Sequence, residues 1–127
     1  MLVNLLKREE GFKPKPYEDT EGILTIGYGF TYITEAEASV ILEGRAKEVT
    51  RICRKEFKWF PSLTRDRQEV IASMVYQLGL RGFKGFKKMI KAIEVGDFLT
   101  AANEGLDSRW ARQTPDRATR HMEVLKG

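Results

Sequence analysis

Residues 10–29 read Glu10-Gly11-Phe12-Lys13-Pro14-Lys15-Pro16-Tyr17-Glu18-Asp19-Thr20-Glu21-Gly22-Ile23-Leu24-Thr25-Ile26-Gly27-Tyr28-Gly29, and the texture of the chain changes at the first of these glycines. Before it, Leu2, Val3, Leu5 and Leu6 lead into Lys7, Arg8, Glu9 and Glu10, a short amphipathic helix that Gly11 terminates. After it, prolines and glycines punctuate Tyr17, Ile23, Leu24, Thr25, Ile26 and Tyr28. That predicts turns and short strands from Phe12 to Tyr32, with a hairpin bend at Thr20, Glu21 and Gly22. Thr34 with Glu37 forms a capping box, and Ala36, Val40, Ile41, Ala46, Val49 and Ile52 continue at helical spacing, so a long helix runs past Arg51. Beyond Pro61 the spacing predicts helices over Arg65 to Leu78, Lys84 to Val95 and Phe98 to Leu106, and a last one capped by Thr114 with Pro115 at its first position. The result is an α+β, mainly α, single domain of residues 1–127.

A chain of 127 residues suits one domain and buries roughly two-thirds of the surface it exposes when unfolded. Apolar residues at 42 % and charged residues at 31 % exclude both a disordered and a membrane-embedded chain. The richest apolar run, Val70 to Tyr76, falls far short of the ~20 residues a bilayer demands. The amino terminus places Lys7 and Arg8 after its apolar residues, with no small-residue cleavage site following, so no signal peptide is expected. Cys53 is the single cysteine and His121 the single histidine, which leaves no disulfide and no Cys/His metal site; no metal and no cofactor are expected. Cys53 is expected to fill core space, His121 to be a surface or capping residue near the end, and Trp59 and Trp110 to anchor packing.

The net charge of +4 is unevenly distributed. Residues 1–44 hold four basic against eight acidic side chains, and residues 45–127 eighteen against ten, so an acidic region adjoins a basic body suited to polyanions. Within the acidic region, Glu10 ends a helix, where the partial negative charge of the dipole opposes a carboxylate. Such violations of local preference concentrate at functional sites. Eight residues separate Glu10 from Asp19 and five more separate Asp19 from Thr25. A helix end, a loop and a strand can therefore bring two carboxyls and a hydroxyl to one place, a set suited to glycoside hydrolysis.

The order Glu10, Gly11, then Tyr17 to Gly22, then Thr25 to Gly29 resembles the catalytic region of the phage-type lysozymes, glycoside hydrolase family 24. The resemblance returns in Met74 to Gly79, and again in Ser108, Arg109, Trp110, Gln113, Thr114, Pro115 and Arg117, so that only the middle of the chain lacks it. It implies a lysozyme-like fold with a cleft between two lobes: a β-lobe over 12–33, a helical lobe made of 1–11 with about 57–127, and a connecting helix over 34–56. It further implies a muramidase that hydrolyses the β-1,4 bond between N-acetylmuramic acid and N-acetylglucosamine in bacterial peptidoglycan, with inversion. By the same resemblance Glu10 is the general acid, Asp19 positions or activates the attacking water, and Thr25 helps hold it. Thr31, Tyr76 and Gln77 fall where the family lines its saccharide groove, and Arg117 where an arginine pairs with the catalytic glutamate. Two features depart from the family: Phe30 stands where a histidine is common, and the β-lobe is shortened, with Tyr32 and Ile33 passing almost directly into the long helix.

Other readings are weaker. Gly27-Tyr28-Gly29 lacks the third glycine and the immediate helix of a dinucleotide fingerprint. Arg81 to Lys88 mixes basic and aromatic residues as RNA-binding segments do, but Lys84 occupies a position where that signature requires a small residue. A basic helix over a packed aromatic pair accounts for that segment better, and a membrane-surface role for Lys84 to Lys91 would leave the acidic triple unexplained. The expected partner is thus bacterial peptidoglycan, with no nucleic acid and no stable membrane association, and the chain is expected to be a monomer. The resemblance implies production in the host cytoplasm and release to the wall through a holin or similar route. The alternative is a catalytically weak peptidoglycan- or nucleic-acid-binding module that keeps the fold.

Overall fold

Helix α1 spans Leu2–Glu10 and stops as the sequence dictates, with Gly11 at φ 68° turning the chain while its N–H closes on Lys7. Strands β1 (Lys13–Glu18) and β2 (Leu24–Gly27) then pair antiparallel, with Tyr17 opposite Thr25 and Glu18 opposite Leu24. The register slips between Lys13 and Tyr17. Pro14 and Pro16 lie in that interval, and neither has an N–H to give to a ladder. Beyond β2, Ile26 and Phe30 exchange two backbone hydrogen bonds of 2.9 Å, closing Gly27-Tyr28-Gly29 into a tight loop. This computed structural model describes residues 1–127 and divides into two compact units, Met1–Leu42 and Glu43–Gly127.

The expected capping box forms. Thr34 Oγ1 accepts from the Glu37 N–H at 3.1 Å and Glu37 Oε1 accepts from the Thr34 N–H at 2.9 Å, opening helix α2 (Glu35–Glu56). The donated backbone N–H holds the Glu37 carboxyl below its usual range. Only the second half of α2 reaches a core: Cys53 is fully buried, and burial pushes its thiol up to about 11, so it fills space as an inert thiol.

In the second unit a one-turn 3-10 helix (Phe60–Ser62) precedes α3 (Arg65–Lys84), α4 (Lys87–Glu94), α5 (Phe98–Leu106), α6 (Arg109–Gln113) and α7 (Pro115–Lys126). Helix α3 starts at Arg65 as expected but extends to Lys84, and it is broken at Gly79. That residue takes φ 76° and ψ 161°, a conformation only glycine adopts freely, so the expected end at Leu78 coincides with a real kink. Helix α4 begins three residues later than the expected Lys84, and α6 was not expected, its five residues being too few for periodicity to register. Its signal is the cap: Ser108 Oγ accepts from the Ala111 N–H at 3.1 Å. Thr114 precedes α7 but does not cap it, because its hydroxyl instead donates back to the Trp110 carbonyl at 3.0 Å.

Aromatic contacts run in a string through this unit, from Trp59 on Phe57 (4.7 Å between centroids) to Phe83 (5.4 Å), Phe86 (6.2 Å) and Trp110 (6.1 Å). His121 corrects its expected surface placement: it is half-buried beside Trp110, because a turn of α7 carries it toward α3 instead of solvent. Arg67 binds the end of the chain, donating to the Leu125 carbonyl at 2.8 Å and to the Lys126 carbonyl at 3.2 Å while stacking on Phe98. These bonds satisfy terminal carbonyls of α7 that no helical turn follows. No helix of the chain is long and apolar enough to cross a membrane.

Helices α5 and α7 approach closely at Gly105, where a β-carbon would run into the Met122 sulfur and lie 3.2 Å from that of Met89. Gly105→Ala should therefore lower stability by about 1–3 kcal/mol through overpacking. Gly44→Ala, inside α2 where a β-carbon meets nothing, should raise stability by up to about 1 kcal/mol. Urea unfolding of the two variants checks both signs.

Candidate active site

The first unit joins two of the residues that the sequence singled out, Asp19 and Thr25. Ile23 does the joining. Its N–H donates to Asp19 Oδ1 at 2.9 Å, and its carbonyl accepts from the Asp19 N–H at 2.9 Å and from the Thr25 hydroxyl at 2.9 Å. The Glu21 N–H adds a second bond to Asp19 Oδ1 at 2.8 Å. Asp19 is thus a turn residue through one oxygen, as aspartates that open tight turns commonly are. The other oxygen, Oδ2, has no hydrogen-bond partner within the unit. Thr25 is 5 % exposed, the one buried polar side chain of the chain. Its hydroxyl gives its hydrogen to Ile23 and keeps its acceptor lone pairs.

Glu10 is located by a different device. Its carboxyl lies against the backbone of Gly29, so that a β-carbon there would collide with Oε2 and stand 3.0 Å from Cδ. Gly29 has φ 76°, and the bridge between Ile26 and Phe30 fixes it in that loop. The glycine serves both the turn and the approach of the acid. A shallow cavity of about 290 Å³ opens beside Thr25 and is lined by Thr31, Phe30, Tyr32 and Ile33 together with Pro16, Leu24 and Ile26. Thr25 and Thr31 therefore share one wall, and Phe30 contributes an apolar ring where the family commonly has a polar imidazole. Phe30 and Tyr32 as lining residues were not singled out from the sequence, because an aromatic beside a turn reads equally as packing.

Tyr76, Gln77 and Arg117 belong to the second unit. Tyr76 is exposed. Gln77 Oε1 accepts from the Trp110 indole N–H at 2.9 Å, which fixes the amide. Arg117 donates to Ser73 Oγ at 2.9 Å. A larger cavity of about 810 Å³ lies on this unit between α3, α4 and α6, lined by Phe86, Trp110 and Gln113 with Lys87, Lys88 and Arg109 against Glu104 and Asp107. Its residues come from four helices, so spacing along the chain does not reveal it. No three His, Cys, Asp or Glu side chains come together as metal ligands would.

The hydrogen bonds at Asp19 separate its structural role from its charge. Asp19→Asn keeps an oxygen to accept from Glu21 and Ile23 and should unfold within about 0.5 kcal/mol of the parent, whereas Asp19→Ala should lose about 1–2 kcal/mol with those bonds. Thermal melts of the pair test this.

The chain matches the phage lysozyme family model over residues 7–125. It is 30 % identical to the pre-baseplate central spike protein Gp5 of Enterobacteria phage T4 over 99 % of its length, while spanning 28 % of that longer protein. It is 30 % identical to the probable T4-type lysozyme 2 of Dictyostelium discoideum over 98 % of the chain and 93 % of the relative. With an endolysin of Acyrthosiphon pisum secondary endosymbiont phage 1 the identity is 30 % over 85 % of the chain and 75 % of the relative. The first two alignments run over 159 and 158 positions, more than the 127 residues present here, so those relatives carry internal residues this chain lacks. A sheet of only two strands agrees with such a shortening. With the match extending over nearly all of its sequence, the chain belongs to the phage lysozyme family, and its enzyme class is that of a lysozyme, a glycosidase.

Proposed function

We propose that the chain is a muramidase that hydrolyses the β-1,4 bond between N-acetylmuramic acid and N-acetylglucosamine in bacterial peptidoglycan, breaking the wall for phage release or entry. The observation that carries this reading is the backbone of Ile23, which ties Asp19 to Thr25 while leaving Asp19 Oδ2 and the Thr25 lone pairs uncommitted. Glu10 donates its proton to the glycosidic oxygen as the bond to the sugar C1 breaks. A water held by Thr25 and deprotonated by Asp19 attacks C1 from the opposite face and inverts it. Thr31, Tyr76 and Gln77 bind saccharide, and Arg117 pairs with Glu10 and fixes its rotamer. Support for these roles comes from the family match and from the glycine that admits Glu10 to the sheet's loop. The endolysin relatives support action on the wall. In this reading the chain is made in the host cytoplasm and reaches the wall through a holin or similar route.

Glu10→Gln and Asp19→Asn should each remove most activity, the base alone contributing ~10²- to 10⁴-fold. The assay is a zymogram on embedded walls, with the first product's anomeric proton followed by NMR. An α-anomer supports inversion and a β-anomer refutes it. Undiminished clearing by Glu10→Gln removes the assignment of the acid, and binding to walls without clearing by the parent chain identifies a non-hydrolytic module instead.

Residues 45–127 carry eighteen basic against ten acidic side chains, which attract an anionic wall over distances that salt screens beyond about 8 to 10 Å. Wall lysis should fall in high salt, while cleavage of a soluble neutral oligosaccharide should change little. Equal sensitivity of the two substrates would show that long-range attraction plays no part.

A further inference from the structure

His121 is absent from the roles given so far, yet it stands between two of the residues that have them. Its Nε2 lies 2.9 Å from Ser73 Oγ, and the same oxygen lies 2.9 Å from a guanidinium nitrogen of Arg117. A guanidinium only donates, so Ser73 accepts from Arg117 and has its own hydrogen to give to His121 Nε2. In that arrangement the imidazole is the neutral tautomer with its proton on Nδ1. On its other side the ring lies 6.2 Å from that of Trp110, tilted by 34°, and Trp110 Nε1 donates to Gln77 Oε1 at 2.9 Å. One imidazole therefore touches both the relay to Arg117 and the indole that fixes Gln77. Ser73 to His121 spans 48 positions of sequence, and Gln77 to Trp110 spans 33.

We propose that His121 is a positioning residue for the lysozyme reaction, holding Arg117 through Ser73 and Gln77 through Trp110. The proposal rests on the reading in which Arg117 supports the catalytic acid and Gln77 binds saccharide. Neutral imidazole is the working form, because imidazolium has no lone pair at Nε2 to receive the Ser73 hydrogen. Protonation would turn Ser73 around and place two cations on one oxygen. The charged groups acting on the ring are Arg117 and Arg120 of its own helix, and the facing helices present Ser73 from α3 and Trp110 from α6, neither of them charged. Burial first, and then the two arginines, hold the imidazole below its ordinary range, which keeps it neutral at physiological pH. A base with a lowered folded value leaves the unfolded chain binding more protons in the interval below the ordinary value of 6.5. Stability is thus whole above that value and is lost as pH falls from it through the lowered one.

His121 is the only histidine, so its ring protons give one resolved NMR titration in the full-length chain. Arg117→Gln should raise the titration midpoint, and Ser73→Ala should move it. In activity, His121→Phe keeps an aromatic ring beside Trp110 but removes the acceptor. It should lower kcat roughly tenfold, the scale on which a misplaced supporting group acts, with a melting temperature near the parent's. His121→Gln restores an acceptor without a titrating group, and should recover most of the lost kcat while erasing the histidine step from the acid limb of the pH profile. Recovery together with loss of that step supports the proposal. If Arg117→Gln impairs activity but His121→Gln and His121→Phe keep the parental rate and profile, His121 has no positioning role. Full activity in Arg117→Gln overturns the reading of Arg117 and this proposal with it. A midpoint indifferent to both Ser73→Ala and Arg117→Gln shows that the relay does not exist in solution.

Discussion

The backbone of Ile23 donates through its N–H to the side chain of Asp19, and its carbonyl accepts from the backbone of Asp19 and again from the hydroxyl of Thr25. Three bonds to one residue's backbone fix the bend between the strands and orient two candidate side chains at the same time. The carboxylate gives one oxygen to the turn and retains the other, and the threonine gives its hydrogen and retains its lone pairs. The same groups serve the turn with some atoms and keep others unpaired, in a sheet of two strands that is marginal by itself. The prolines of β1 fit the same economy. They forfeit ladder bonds at the end of the strand away from the bend, where the register slips, and leave the pairing of Tyr17 with Thr25 intact.

Glu10 shows what a site costs in local terms. The acid occupies a helix end whose dipole disfavours it, and it leans on a glycine held at φ 76° because any larger residue would displace it. Each feature alone weakens the fold. Both occur at one contact, and rule-breaking that coincides in space is a stronger sign of function than either feature read separately.

The second unit solves a different problem, the satisfaction of polar groups inside an aromatic core. Trp110 lies in the string of rings and still finds Gln77 for its N–H. Ser73 serves Arg117 and His121 together. No buried side-chain nitrogen or oxygen lacks a partner. An unpaired polar group in such surroundings would cost about 1–3 kcal/mol, so these bonds define one arrangement of α3, α6 and α7 more than they add net stability.

The features fixed by sequence alone are those written over a few neighbouring residues. Gly11 ends α1 because glycine accepts positive φ, Thr34 and Glu37 cap α2 because their side chains reach each other's backbone three positions away, and α5 falls at Phe98–Leu106 between its own punctuation. Asp19 and Thr25 were legible as candidates for the same reason, their bonds spanning at most four residues. What the tertiary structure decided lies at long separation. The approach of Glu10 to Gly29, the inward turn of His121, the holding of Gln77 by Trp110 and the placement of Arg117 on Ser73 each depend on which helices and loops meet. Residue type and spacing give a histidine or an arginine no partner. Only the closing of the chain on itself does, because the free energy that selects the partner is gained when both leave water together.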